Sequence, residues 1–196
     1  MKFLIALILI FGCANALFAG VPEDGAISIH EISLGYPAYQ KVVRFKIIDA
    51  YKPEIHETFF RIFVDYPSMR PTRGPRKFKL NDDTLEILVQ AYPKYGTDAD
   101  RILSGGFGAI EIAPENGYRV FTERIGRIDQ TKIYGYKSET GSVVVSDPGS
   151  WSVRHAMTRG VSDLYQFNCH FSKKMGAPFK SIDESVVRLL STMIVE

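Results

Sequence analysis

Short runs in which apolar and polar residues strictly alternate constrain this chain most. Val43, Phe45 and Ile47 alternate with Arg44 and Lys46, and Phe60, Ile62 and Val64 alternate around Arg61. Leu85, Ile87 and Val89 follow the same rule around Glu86, as do Ile27 and Ile29 around Ser28. Tyr165, Phe167, Cys169 and Phe171 share one phase, with Gln166, Asn168 and His170 in the other. A period of two is the period of a strand with one face buried. Further strand signals lie at Ile110–Ile112, Tyr118–Ile125, Thr131–Tyr136 and Val143–Val145. Trp151, Val153, His155 and Met157 also alternate, and this stretch is read as strand, although Ser150 and Gly160 suit the ends of a short helix. The content of 10 Tyr and 13 Phe fits pleated, half-buried surfaces.

Turn residues punctuate these runs at Asn81-Asp82-Asp83, Gly105-Gly106, Pro114-Glu115-Asn116-Gly117 and Asp147-Pro148-Gly149. Asn116-Gly117 is a hairpin signal, because both residues tolerate positive φ. One helix is signalled, near the C-terminus. Ser181 and Glu184 have capping-box spacing, and Ile182, Val186, Leu189, Leu190 and Met193 fall on one face. Asp183 and Glu184 then sit where the helix dipole favours negative charge. The expected fold is mainly β: an antiparallel sandwich or partial barrel with one C-terminal amphipathic helix.

The first residues have the layout of an export signal. Lys2 is followed by an apolar run from Phe3 to Phe11, and Ala14-Asn15-Ala16 has the small-x-small cleavage pattern. That run is too short to span a bilayer, which takes about 20 residues. The expected organisation is a leader over 1–16, with Ala19 as an alternative cleavage point, and one β-rich domain over 17–196 in a secreted protein. Ile10-Phe11-Gly12-Cys13 resembles the lipidation box of bacterial lipoproteins, which implies anchoring at Cys13 as the alternative. Removal of the leader leaves Cys169 alone, so no internal disulfide forms. Its place between Phe167 and Phe171 reads as a small buried hydrophobe, with an intermolecular disulfide and a homodimer as the alternative. No Asn-x-Ser/Thr triplet is present.

The 24 Lys and Arg nearly balance the 22 Asp and Glu, so an electrostatic partner must be held by a local patch. Arg70, Arg73, Arg76, Lys77 and Lys79 form such a patch, and no acid interrupts Pro67–Leu80. Pro71, Gly74 and Pro75 keep the segment out of helix and strand interiors. Five cations close together can neutralise several anionic groups of a sulfated glycan, a phospholipid surface or a nucleic acid. Tyr66 and Phe78 border the run and offer rings for stacking. Its two Arg-x-x-Arg spacings also resemble a proprotein-convertase site.

Other clusters are weaker. Asp98-x-Asp100 offers too few oxygens for Ca²⁺ and reads as a turn. Ser104-Gly105-Gly106-Phe107-Gly108 lacks the residues of a phosphate-binding loop and reads as a tight bend. His30, His56, His155 and His170 have no metal-ligand spacing, no cofactor fingerprint is present, and there is no Gly-x-Ser-x-Gly elbow. The leading expectation is a non-enzymatic binding protein that engages a polyanion or glycan through the basic loop. Two alternatives are a carrier with a lipid-sized apolar cavity in the β shell and a hydrolase that pairs His155 with Asp147 or Asp163.

Overall fold

A computed structural model of the chain describes residues 28–36, 41–72, 81–124 and 130–195. The leader, the Cys13 box, Ile27, Ile125, and Arg73, Arg76, Lys77, Phe78 and Lys79 of the basic loop lie outside the described residues. In chain order the strands are β1 (Ile29–Tyr36), β2 (Lys41–Ile48), β3 (Glu54–Ile55), β4 (Phe59–Asp65), β5 (Arg70–Pro71) and β6 (Thr84–Ala91). A short helix α1 (Asp98–Leu103) precedes β7 (Ile110–Glu115), β8 (Tyr118–Arg124), β9 (Gln130–Ser138) and β10 (Gly141–Asp147). The chain ends with β11 (Arg154–Val161), β12 (Tyr165–Ser172), helix α2 (Phe179–Met193) and β13 (Ile194–Val195).

All recorded strand pairs among these residues are antiparallel. The larger sheet runs β3-β4-β6-β12-β11-β10-β9-β8-β7, with β5 beside β4, and is not closed into a barrel. The smaller sheet is β1-β2-β13. It packs with α2 on the inner face of the larger sheet, and their side chains form one core. The fold is therefore a β sandwich with a C-terminal helix.

Register explains the core row by row. Ile62, Ile87, Cys169, Met157, Val145, Tyr134 and Val120 lie side by side across seven strands of the inner face. From the facing sheet, Phe45 packs edge-on against Phe60 at 5.1 Å and against Tyr165 at 5.4 Å between ring centroids. These rings meet across the two layers and fill the space between them at this point.

The outer face is covered over β9–β11 by α1. Ala99 and Leu103 pack on Phe121, Ile133 and Val144. Gly135 permits this approach, since a Cβ there would lie 2.5 Å from Leu103 Cδ2. The helix begins at a capping box: the Thr97 hydroxyl accepts from Asp100 N–H, and the Asp100 carboxylate accepts from Thr97 N–H. The Asp98–Asp100 turn is thus the first turn of a helix, and Asp100 Oδ2 is engaged in its cap.

Three further expectations change. β1 is buried in the other phase, with Ile32 and Leu34 inside and Ile29 52% exposed. Helix α2 starts at Phe179 with Pro178 as its N-cap, so Ser181 and Glu184 lie inside it and make no cap. The stretch 149–161 is a 3₁₀ turn, Gly149–Trp151, followed by strand β11. The hairpin at Asn116-Gly117 forms with φ of 52° and 79°, which is the pairing expected of a type I′ turn.

Candidate functional site

Of the basic-loop residues, Arg70 and Tyr66 are described. Arg70 is exposed at the start of β5, opposite Asp65. Tyr66 is half-buried and packs against the main core, so its ring is part of the support below the loop. The incoming chain is fixed by Thr72 N–H donating to the Phe63 carbonyl at 3.2 Å and by the Thr72 hydroxyl donating to Asp65.

A second polar region was not legible as a motif. It is a cleft of about 540 Å³ between the β9–β10 turn and the N-terminal half of α2. Its floor holds Arg159 and Asp183, which are 4% and 1% exposed. Register places Arg159 in the inner row Phe60, Val89, Phe167, Arg159, Val143, Tyr136, where every neighbour is apolar or aromatic. A guanidinium there requires a counter-charge. Asp183 supplies it from the buried side of α2 and accepts hydrogen bonds from Arg159 and, at 2.9 Å, from the Tyr136 hydroxyl. A second Arg159 nitrogen donates to the Thr140 hydroxyl. Arg159 Nε and Asp183 Oδ1 have no hydrogen-bond partner among the described residues. Burial pushes the Asp183 carboxyl up, against the opposing pull of Arg159 and Tyr136. The sequence signal was phase: Arg159 continues the inward series His155, Met157 and so marks a buried charge.

The rim of this cleft is mixed. Lys137 and Glu139 come from the β9–β10 turn, and Lys180, Glu184 and Arg188 from α2. Lys180 Nζ lies 5.6 Å from the centroids of both Tyr118 and Tyr136. These rings belong to a larger aromatic group in which Phe179 meets Tyr118 at 5.7 Å and Tyr134 at 5.5 Å. A smaller cleft, of about 250 Å³, lies on the other side of the same turn. There the Tyr92 hydroxyl donates to Asp100 at 3.0 Å.

The hydrolase residues are not arranged as a relay. His155 is enclosed by Phe171 at 5.3 Å and Phe179 at 5.1 Å. Its Nδ1 is buried without a hydrogen-bond partner, and burial lowers its pKa. Asp147 acts on it by charge alone, with its carboxylate bound by Lys173. Asp163 is in the turn after β11, at the far end of that strand from His155. The imidazole's hydrogen bond goes to the backbone of Ser146, so no carboxylate orients it as a relay would require.

Cys169 is 0% exposed in the inner row, and burial pushes its thiol pKa up. The residue packs as a small hydrophobe, and a homodimer linked through Cys169 finds no support in this packing.

His170 lies on the outer face, where it, Arg61 and Arg154 converge on Glu86. Arg61 Nε is 3.2 Å from Glu86 Oε1, and Arg154 Nη1 and His170 Nδ1 are each 3.5 Å from Oε2. His30 pairs with Asp49 at 3.0 Å, and His56 stacks on Phe59 at 4.3 Å. Among the described residues, no three His, Cys, Asp or Glu side chains group as a metal site. No helix among them is long and apolar enough to cross a membrane.

No family model matches the chain, and no curated protein matches it. Among solved structures the chain is similar to the Neisseria meningitidis iron-regulated outer membrane lipoprotein FrpD, at 10% sequence identity and a TM-score of 0.48, over 84% of this chain and 92% of that one.

Proposed function

We propose that this chain is an exported, non-enzymatic binding protein that holds a polyanion, foremost a sulfated glycan, through the cationic run that begins at Arg70. The observation that carries this reading is Arg70 itself. It is exposed where the β4–β5 ladder ends, and its guanidinium makes no ion pair with a described residue. Arg73, Arg76, Lys77 and Lys79 follow it without an intervening acid. Such a run gains its affinity from several charge-assisted contacts made together. The support beneath it is firm, because β4 and β6 carry Ile62, Val64, Leu85 and Ile87 into the core. The enclosure of His155 and the burial of Cys169 favour binding over nucleophilic chemistry.

The test is retention on immobilised heparin. The protein elutes at higher salt than a control of equal net charge, and replacing Arg73, Arg76 and Lys77 with Ser removes the excess. Elution together with the control overturns the reading. Export is checked separately by the mass of the mature N-terminus. A start at Leu17 supports a secreted form, and a diacylated Cys13 supports an anchored one.

A further inference from the structure

We propose that Asn116 is a site of spontaneous deamidation, and that the isoaspartate formed there releases the edge strand β7 from the larger sheet. This modification needs no ligand and stands apart from the polyanion reading.

The reacting groups lie side by side in the chain. Asn116 and Gly117 form the loop between β7 and β8, closed by the pair Glu115↔Tyr118. Both are exposed, at φ of 52° and 79°. The Asn116 side-chain amide makes no hydrogen bond with a described residue. Gly117 has no Cβ to crowd its own nitrogen as a nucleophile. That nitrogen attacks Cγ of Asn116. The new C–N bond forms, the Cγ–Nδ2 bond breaks, and Nδ2 leaves as ammonia with the attacking nitrogen's proton. Water then opens the cyclic imide. Addition at Cγ leaves an aspartate, and addition at the main-chain carbonyl leaves an isoaspartate, whose main chain runs through Cβ.

Ring closure requires the turn to change its dihedrals, and β7 is the strand that lets it. β7 is an edge strand, and its side chains from Ile110 to Pro114 are all exposed. Pro114 has no N–H to give to a ladder, and the register shifts between Ile112 and Glu115. Beyond its ladder with β8, β7 is held by the surface pairs Glu111–Arg119 and Glu115–Lys132, each at 2.7 Å, a class of contact that adds little stability. A strand with so little burial opens readily. The other described asparagines lack this combination. Asn168 is fixed in β12 between β6 and β11 and accepts from the Thr158 hydroxyl at 2.8 Å. Asn81 precedes Asp82, whose side chain crowds the attacking nitrogen.

The product does not fit the turn. An isoaspartate lengthens the main chain of a loop that closes directly on Glu115↔Tyr118, and it replaces the positive-φ geometry that matches the twist of the two strands. It also sets a new carboxylate beside Glu115. β7 then has no burial to keep it in register. β8 becomes the edge, with backbone groups open to pairing with another chain.

The experiment is incubation of the full domain at mildly alkaline pH, folded and in urea, followed by peptide mapping and labelling with protein isoaspartyl methyltransferase. The peptide holding Asn116 should show the mass change of amide-to-acid exchange and take up label. The folded chain should convert within about tenfold of the rate in urea, because β7 opens readily. Asn81 and Asn168 should stay intact in the folded chain. In NMR spectra of the isolated isoaspartate form, the cross-strand contacts Ile110↔Thr122 and Ile112↔Val120 should be lost, while Val145↔Met157 remains. Asn116→Gly keeps a residue that suits the turn and removes the reactive amide, so it should retain all three contacts through the same incubation. An Asn116 that converts in urea but stays intact in the folded chain overturns the proposal. So does loss of the β7 contacts in aged Asn116→Gly, or their persistence in the isoaspartate form.

Discussion

Arg159 replaces what would be a sixth apolar side chain in its inner row, and the consequence is a buried ion pair that ties α2 to the middle of the large sheet. Two opposed charges out of water cost several kcal/mol each to desolvate, and their attraction returns most of that only while both are present. Arg159→Ala or Asp183→Ala should therefore each cost about 3–5 kcal/mol of stability. The paired change Arg159→Met/Asp183→Leu should fold at least as stably as the parent. Urea denaturation of the three proteins checks this, and a single-mutant loss below about 1 kcal/mol would mean the pair is solvated. The pair was half legible in the sequence. Arg159 falls in the inward phase of β11, which marks a buried charge. Asp183, however, looked like a residue placed for the helix dipole, and only the rotation of α2 on the sheet shows that it points inward. Cys169 was legible throughout, because its phase with Phe167 and Phe171 fixes its face.

At the scale of elements, close approach is the most demanding feature. Gly141 opens β10 against the carbonyl of Gly160, and a Cβ there would lie 2.1 Å from that oxygen. The obstacle is backbone, so it cannot rotate away. Gly141→Ala must push β10 from β11, and we expect a loss of about 1–3 kcal/mol, the usual cost of overpacking. A thermal melt reads it, and an unchanged midpoint would show that the two strands separate freely. Gly117→Ala serves as a comparison with a different cause, since no atom approaches within 4 Å and only its φ of 79° resists a side chain.

The long strands were readable because each repeats its period several times, as in β2, β4, β6 and β12. The phase of β1 was misread because Ile29, Ile32 and Leu34 offer large apolar side chains in both phases, and pairing with β2 decides between them. Helix α1 was missed because six residues do not complete two turns. Its Thr97 and Asp100 carried the capping signal, while the same spacing at Ser181 and Glu184 lies inside α2. Capping spacing thus marks a helix start only where the preceding residues leave the helix, and Pro178 places that start earlier.

At the scale of the whole molecule, titratable groups in the core and on the faces of the sheets make its stability depend on pH, in a direction that follows from their shifts. Glu86 is held below the ordinary carboxylate range, chiefly by its hydrogen bond to His170 and then by the charges of His170, Arg61 and Arg154. Its contribution is complete above the unfolded carboxylate value and is lost as pH falls through the folded one. Burial would raise Asp147, but Lys173 and the Gly149 N–H outweigh it and hold this carboxyl down as well. His155 is lowered from 6.5 by burial, so on acidification the unfolded chain takes up its proton first and the folded state loses ground. Asp183, raised by burial, acts the other way. These shifts, joined by the lowered Asp100 carboxyl and opposed by Asp183 alone, predict a fall in stability that begins as pH drops through the ordinary histidine range and steepens in the carboxylate range. Because the inner core joins both sheets and α2, the loss should appear as an earlier global transition. Urea midpoints at pH 7, 5.5 and 4 should decline in that order. Glu86→Gln should flatten the step between pH 5.5 and 4, and His155→Phe the step between pH 7 and 5.5. A midpoint that rises on acidification would mean that Asp183 governs the balance and that the Glu86 cluster contributes little.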